Sequence, residues 1–131
     1  MRLKNKVAIV TGAGSGFGAG IAKRFAEEGA LVIVNDINAA GEKVAKEVGG
    51  KFVQADVTQP AGWERLVSEA GAELSIVVNN AGWTHRRKAF LEVSEAEFDR
   101  VYAVNVKSIY LSARQVLPVF KKRGGGAFVN I

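Results

Sequence analysis

The sequence predicts an α/β protein built on an open, doubly wound parallel sheet, and three observations carry that expectation. Short runs rich in Val and Ile alternate with stretches of helical periodicity, the pattern of stacked βαβ units whose strands are buried on both faces. The first apolar run ends in a glycine-rich turn that leads directly into a helical pattern. The chain has 131 residues, 48% of them hydrophobic, enough for one core, and no linker, repeat or low-complexity tract divides it. Residues 1–131 therefore read as a single domain.

Taken in order, the first strand is expected at residues 6–11. The helix after it carries Ile21, Ala22, Phe25 and Ala26 on one face and is closed by Gly29. A second strand at 31–35 precedes a helix in which Ala40, Val44 and Val48 recur at helical spacing, with Asn38 as the expected N-cap. A third strand at 51–55 is followed by a helix with Trp63, Leu66, Val67 and Ala70 on its apolar face, then by a fourth strand at 74–79. The fourth helix is the best signposted. Ser94-Glu95-Ala96-Glu97 is a capping box, and Val93 with Phe98 forms the expected hydrophobic staple, so the helix starts near Glu95. Its pattern runs through Val101, Tyr102, Val104, Ile109 and Leu111 to Phe120, and Pro118 comes late enough to bend the last turns without ending them. The fifth strand is expected at 127–131. Right-handed crossovers leave few topologies for such a sheet, and its ligands sit at the carboxyl ends of the strands.

Composition excludes several functional classes. There is no cysteine and one histidine, His85, so neither a disulfide framework nor a Cys/His zinc site is available, and no metal site is expected. The apolar run after the charged N-terminus, Val7 to Val10, is too short for a signal or membrane-spanning segment. A soluble, cytoplasmic protein with no membrane partner is the expectation. The formal charge of +5 raises the question of nucleic acid, yet through Trp83 nine basic side chains balance nine acidic ones. The excess lies later, in Arg86-Arg87-Lys88 and Lys121-Lys122-Arg123. The second cluster suits a helix C-terminus before Gly124-Gly125-Gly126, where cations face the negative end of the dipole and glycine supplies the cap. No basic stripe is interleaved with aromatics, so no nucleic-acid partner is expected. A P-loop and a G-x-S-x-G nucleophile elbow are both absent.

The chemistry is expected in the turn Thr11-Gly12-Ala13-Gly14-Ser15-Gly16-Phe17-Gly18. Glycines let the backbone turn sharply and approach a pyrophosphate, and the following helix N-terminus supplies N–H groups and a positive field. Gly12, Ser15, Gly16, Phe17 and Gly18 are the candidates there. Asp36, at the end of the second strand, is placed to accept hydrogen bonds from adenosine ribose hydroxyls and to repel a 2′-phosphate. Neither Ser15 nor Ile37 beside it supplies a compensating cation, so NAD is expected in preference to NADP.

The full run T-G-x-x-x-G-x-G, followed in order by Asp56-Val57, Asn79-Asn80-Ala81-Gly82 and the Asn105 of Tyr102-Ala103-Val104-Asn105-Val106, resembles the short-chain dehydrogenase/reductase family. That resemblance implies a Rossmann-type sheet of strand order 3-2-1-4-5, ending here after the fifth strand. It places Asp56 and Val57 against the adenine ring, and Asn80, Ala81 and Gly82 beside the cofactor ribose. It makes Asn105 the first member of an Asn-Ser-Tyr-Lys tetrad, at a local break in the helix whose freed carbonyl holds a water that reaches the lysine.

The implied activity is hydride transfer between NAD(H) and an alcohol or carbonyl substrate, with tyrosine as acid or base, lysine lowering its pKa and serine orienting the substrate oxygen. Those three residues would come after Ile131. Tyr102 and Tyr110 precede the fifth strand, and neither has a lysine four residues later. The chain therefore reads as the cofactor-binding portion of an NAD-dependent oxidoreductase with negligible turnover of its own, the alternative being a non-catalytic NAD-binding module. The family commonly assembles as homo-oligomers through the helix that carries Asn105.

Two departures from the family pattern stand out. The stretch from Trp63 to Asn79 is shorter by about one helical turn, and Ser75 stands where the family usually has Asp. A truncated or engineered chain is one expectation from this. The segment Trp83-Thr84-His85-Arg86-Arg87-Lys88 would border the nicotinamide end as a basic rim favouring an anionic or polyhydroxylated substrate, with a solvated loop as the plainer reading.

Overall fold

The computed structural model describes residues 1–131. In chain order the elements are β1 (Val7–Val10), α1 (Gly16–Glu27), β2 (Leu31–Asp36), α2 (Gly41–Glu47), β3 (Lys51–Gln54), α3 (Pro60–Ala70), β4 (Leu74–Asn79), α4 (Glu95–Tyr102), α5 (Ser108–Arg123) and β5 (Ala127–Asn130). A 3₁₀ turn, Phe90–Glu92, leads toward α4, and a π-helical turn, Ala103–Lys107, joins α4 to α5. All strand pairs are parallel and the order is β3-β2-β1-β4-β5. The expected sheet and its five strands are present, with ends shifted by no more than a residue.

Strand alternation divides the core into two layers. Ile9, Ile33 and Val77 face a cluster completed by Trp63 and Leu66 of α3 and by Leu111, Val116 and Phe120 of α5. Val10, Val32, Val34 and Val78 face the opposite layer with Ala22 of α1 and Ala45 of α2. Each Val, Ile or Leu side chain fully buried in this way contributes about 1.5–3 kcal/mol. Trp63 is fully buried, and its indole N–H donates to the Val57 carbonyl at 3.0 Å.

Ser75 has a clear structural use. The β1–β4 register shifts between Val7 and Ala8, which pair with Leu74 and Ile76, so Ser75 is the extra residue. Its hydroxyl accepts from the Val7 N–H at 3.2 Å and donates to the Val7 carbonyl at 3.1 Å. An ionised aspartate could accept but not donate there.

One expectation needs correction. Asn38 does not cap α2: the helix begins at Gly41, with Ala40 at the N-cap position and no side-chain cap. Asn38 instead closes a separate turn, its Oδ1 accepting from the Ala40 N–H at 2.9 Å and its carbonyl from the Gly41 N–H at 3.3 Å. The long fourth helix is broken locally at Asn105, as the family resemblance implies: the π turn divides it, and α5 runs on through Pro118 to Arg123 and ends on Gly124 in the left-handed conformation (φ 89°). The capping box at Ser94 is formed as read. Phe98, expected to staple against Val93, stacks on Tyr102 with ring centroids 5.9 Å apart and is largely exposed. No helix is long and apolar enough to cross a membrane.

Candidate functional site

A cleft of about 430 Å³ opens where β1, β2 and β4 end, and α4 and the start of the π turn form its far wall through Arg100 and Val104. It brings together Gly12, Ser15, Phe17, Gly18, Asp36, Ile37, Asp56, Val57, Asn80, Ala81 and Gly82. Two of the expected residues are not part of its wall: Gly16, which turns the chain into α1 at φ 56°, and Asn105.

At Gly12, Gly14 and Gly18 the loop is packed so closely that space dictates glycine. Gly12 has φ 61°, and a Cβ there would lie 2.8 Å from the Ala81 Cα. A Cβ on Gly18 would run into the Gly12 carbonyl oxygen and lie 2.6 Å from the Asn80 Nδ2. Ser15 stands at the N-cap position of α1 without a side-chain cap bond. The N–H groups of the first helical turn have no intrahelical acceptors, and together with the helix dipole they make this end suited to an anion.

Asp36 is fixed rather than free. Its Oδ2 accepts from the Gly14 N–H and its Oδ1 from the Asn38 N–H, both at 2.9 Å. The acid is thereby tied to the glycine loop on one side and to the turn after β2 on the other. Beside it the buried Asn35 donates twice, to the carbonyls of Val53 and Ala55 at 3.1 Å, bracing β2 against the end of β3. Asp56 forms the turn that its residue type favours, with Oδ1 accepting from the Thr58 N–H at 2.9 Å and hydroxyl at 2.7 Å.

Thr11 links the two segments that approach each other at the cleft floor. Its Oγ1 accepts from the N–H groups of Asn80 and Ala81, each at 3.0 Å, while the Asn80 Nδ2 donates to the carbonyls of Thr11 and Gly12 at 3.0 and 3.3 Å. Asn79 reaches the other way, its Nδ2 donating to Ser112 of α5 and Asn130 of β5 at 3.0 and 2.9 Å. Thr11 opens the glycine motif read from sequence, but its bracing role, like the roles of Asn35 and Ser112, has no local sequence signal. A buried polar residue at a strand end signals such bracing only once its neighbours across the sheet are known.

The α4 wall is joined to the segment after β4 mainly at Trp83. Asn105 pairs with the Trp83 backbone in both directions, Nδ2 donating to its carbonyl and Oδ1 accepting from its N–H, each at 2.9 Å. The Arg100 guanidinium lies 4.1 Å from the Trp83 ring centroid and is the one cation in the cleft wall. Farther along, Lys88 is paired with Glu97 at 2.6 Å, whereas Arg86 and Arg87 are exposed and make no ion pair. The Lys88 ammonium, with the Ser94 N–H, holds the Glu97 carboxyl down at about 2, from an ordinary 4.5. His85 keeps its Nδ1 2.8 Å from the Arg86 carbonyl oxygen and is half-buried.

Comparison with known proteins gives this arrangement its context. The short chain dehydrogenase family profile matches residues 6–131. The 4-formylbenzenesulfonate dehydrogenase TsaC1/TsaC2 of Comamonas testosteroni is 49% identical over 140 residues, covering 100% of this chain and 56% of that protein. That aligned length exceeds the 131 residues present here, so the relative carries residues within the range that this chain lacks. An NADP-dependent (R)-specific alcohol dehydrogenase of Lentilactobacillus kefiri is 39% identical over 136 residues, covering 98% of this chain and 54% of that one. Among solved structures, a 3-ketoacyl-(acyl-carrier-protein) reductase from Brucella melitensis complexed with NADH superposes with a TM-score of 0.89 at 44% identity, over 93% of this chain and 53% of the reductase. The chain thus spans about half the length of the relatives it matches.

Proposed function

The chain belongs to the short-chain dehydrogenase family, and from that premise we propose that it is the cofactor-binding portion of an NAD-dependent oxidoreductase that moves hydride between NAD(H) and an alcohol or carbonyl compound. One observation carries the reading: a single cleft joins a glycine cradle that leaves no room for a Cβ at Gly12 or Gly18, a fixed carboxylate at the end of β2 and the Asn80-Ala81-Gly82 segment. These residues suit NAD. Bound there, the nicotinamide would supply the hydride acceptor or donor.

The role of each group follows from its chemistry. The N-terminus of α1, with Gly12, Ser15, Gly16, Phe17 and Gly18 before and within it, would hold the pyrophosphate, and Asp36 the adenosine ribose, with Ile37 alongside. Asp56 and Val57 would border the adenine, while Asn80, Ala81 and Gly82 pass beside the ribose. Asn105 would contribute to catalysis from the π turn. Proton transfer needs an acid or base that reaches the reacting oxygen, and neither Tyr102 nor Tyr110 belongs to the cleft wall. Negligible turnover of an alcohol by this chain alone is therefore expected, the proton-handling serine, tyrosine and lysine of the family lying outside it. Steady oxidation of an alcohol by residues 1–131 would refute that assignment.

Support for NAD over NADP comes from Asp36, since the family includes enzymes of both kinds. Two backbone N–H groups keep its charge in place. The only cation in the cleft wall, Arg100, sits against Trp83 after β4, and β1 separates β4 from β2. A 2′-phosphate would meet Asp36 with no neutralising partner. Arg86 and Arg87, together with the sulfonate in the name of the 49% identical relative, support a substrate that carries an anionic group near this rim.

Calorimetric titration with NAD and then NADP tests the proposal. Saturable NAD binding is expected, with NADP weaker by about tenfold or more, and Asp36→Ala should weaken NAD by a similar factor, as for a lost hydrogen bond to a charged group. Equal binding of the two dinucleotides, or an Asp36→Ala variant that binds NAD normally, would sink the cofactor assignment.

A further inference from the structure

We infer that Ser108 is a positioning residue for the cleft: its hydroxyl takes the place of its own amide on the Val104 carbonyl, and so holds the helix in the π register that keeps Asn105 on Trp83. In an α-helix the N–H of residue 108 would bond the carbonyl of residue 104. Here the Ser108 N–H bonds the carbonyl of Ala103, five residues back. That shift deprives the Val104 carbonyl of its normal donor. The Ser108 Oγ–H donates to that carbonyl at 2.6 Å.

Ser108 is only 4% exposed, so water has little room to replace this bond. One residue thus satisfies two successive carbonyls with its two donors. A serine hydroxyl in mid-helix commonly shares a carbonyl with the amide that already bonds it. The arrangement at Ser108 differs because the amide has left. Without the hydroxyl, the π register would strand the Val104 carbonyl, and the α register would regain the bond at the expense of geometry.

The consequence for the cleft is geometric. A π turn holds one residue more than an α turn, so restoring α geometry would rotate one side of the helix against the other by about 100°. Val104 belongs to the cleft wall and Asn105 makes both hydrogen bonds to Trp83. A change of register would move either the wall or the clamp. Ser108 is therefore expected to act on ligand binding from behind the wall, without touching the ligand.

The proposal has a direct and an indirect test, and only the NAD arm rests on the function proposed above. In the unmodified chain, scalar coupling across hydrogen bonds in NMR should connect the Ser108 amide to the Ala103 carbonyl carbon, and a coupling to Val104 instead would overturn the proposal. In variants, Ser108→Ala should speed exchange of the Trp83 amide by about fivefold, the order expected for one lost buried hydrogen bond, and weaken NAD by a similar factor. Ser108→Thr, which keeps a hydroxyl, should restore both. Ser112→Ala is the control, because it removes a buried hydroxyl one turn farther along α5 that bonds Asn79 rather than the π turn. Equal acceleration of Trp83 exchange by both alanine variants, or none by Ser108→Ala, would reduce Ser108 to an ordinary buried serine. If the unmodified chain fails to bind NAD, the function fails while the coupling and the Trp83 exchange still judge Ser108.

Discussion

On one side of the cleft, a methyl group at Gly12 would meet the Ala81 backbone and one at Gly18 the Gly12 carbonyl and the Asn80 amide, and the fixed acid Asp36 is held by backbone N–H groups. On the other side, α4 contains no buried residue and keeps its place through separate side-chain contacts: Asn105 and Arg100 on Trp83, and Lys88 on Glu97. Backbone packed at that distance tolerates almost no change, whereas side-chain contacts can be removed one at a time. The two walls should therefore fail differently.

The largest effect is expected from Gly18→Ala. The added methyl would collide with the Gly12 carbonyl oxygen, and neither β1 nor the Asn80 side chain can yield without losing the bonds to Thr11. A loss of about 3 kcal/mol is expected, at the upper end for overpacking, read as a lower urea midpoint at unchanged slope. A shift of less than about 0.5 kcal/mol, the range of an ordinary surface change, would mean the loop can open, and the contrast between the walls would collapse.

Asn105→Ala should do less and do it locally. Two hydrogen bonds to Trp83 disappear from an exposed position, so about 1 kcal/mol of stability is expected to go. Amide exchange should quicken across α4 and leave the amides of β1 and β2 unchanged, because nothing in the α4 wall braces those strands. Faster exchange in β1 would show that the two walls are coupled through Trp83 and do not fail separately.

The same contrast explains what could be read from sequence. The β1–α1–β2 wall was legible because its backbone demands leave a mark on the chain itself: close packing at Gly12 and Gly18 and a positive φ at Gly16, at fixed spacing, then Asp36 at the next strand end. The other wall rests on pairs distant in sequence, such as Asn105 with Trp83, and no local pattern links a helix residue to the backbone 22 residues earlier. The π turn escaped the periodicity for a related reason. One extra residue per turn shifts an apolar pattern too little to notice, and the residue that accommodates it, Ser108, is unremarkable until its amide is seen to bond Ala103. Asn38 misled because Asn caps isolated turns as readily as helices.

The smallest effect tests the most exposed contact. Glu97 is held at about 2 first by the Lys88 ammonium and then by the Ser94 N–H, below its ordinary 4.5. A carboxyl whose folded value lies below its unfolded one stabilises the fold fully above the unfolded value and loses that contribution as pH falls toward the folded one. Between pH 4.5 and about 2, then, α4 should loosen at its N-terminal end while the sheet amides hold. Salt should weaken the effect, because the pair lies at the surface. Lys88→Met separates the two causes. A carboxyl titration followed by NMR should move Glu97 part of the way back toward 4.5, with the capping N–H of Ser94 retaining the remainder. If Glu97 stays near 2 without Lys88, the capping box alone holds the acid, and this wall too is fixed at that point by backbone N–H groups, as Asp36 is on the other side.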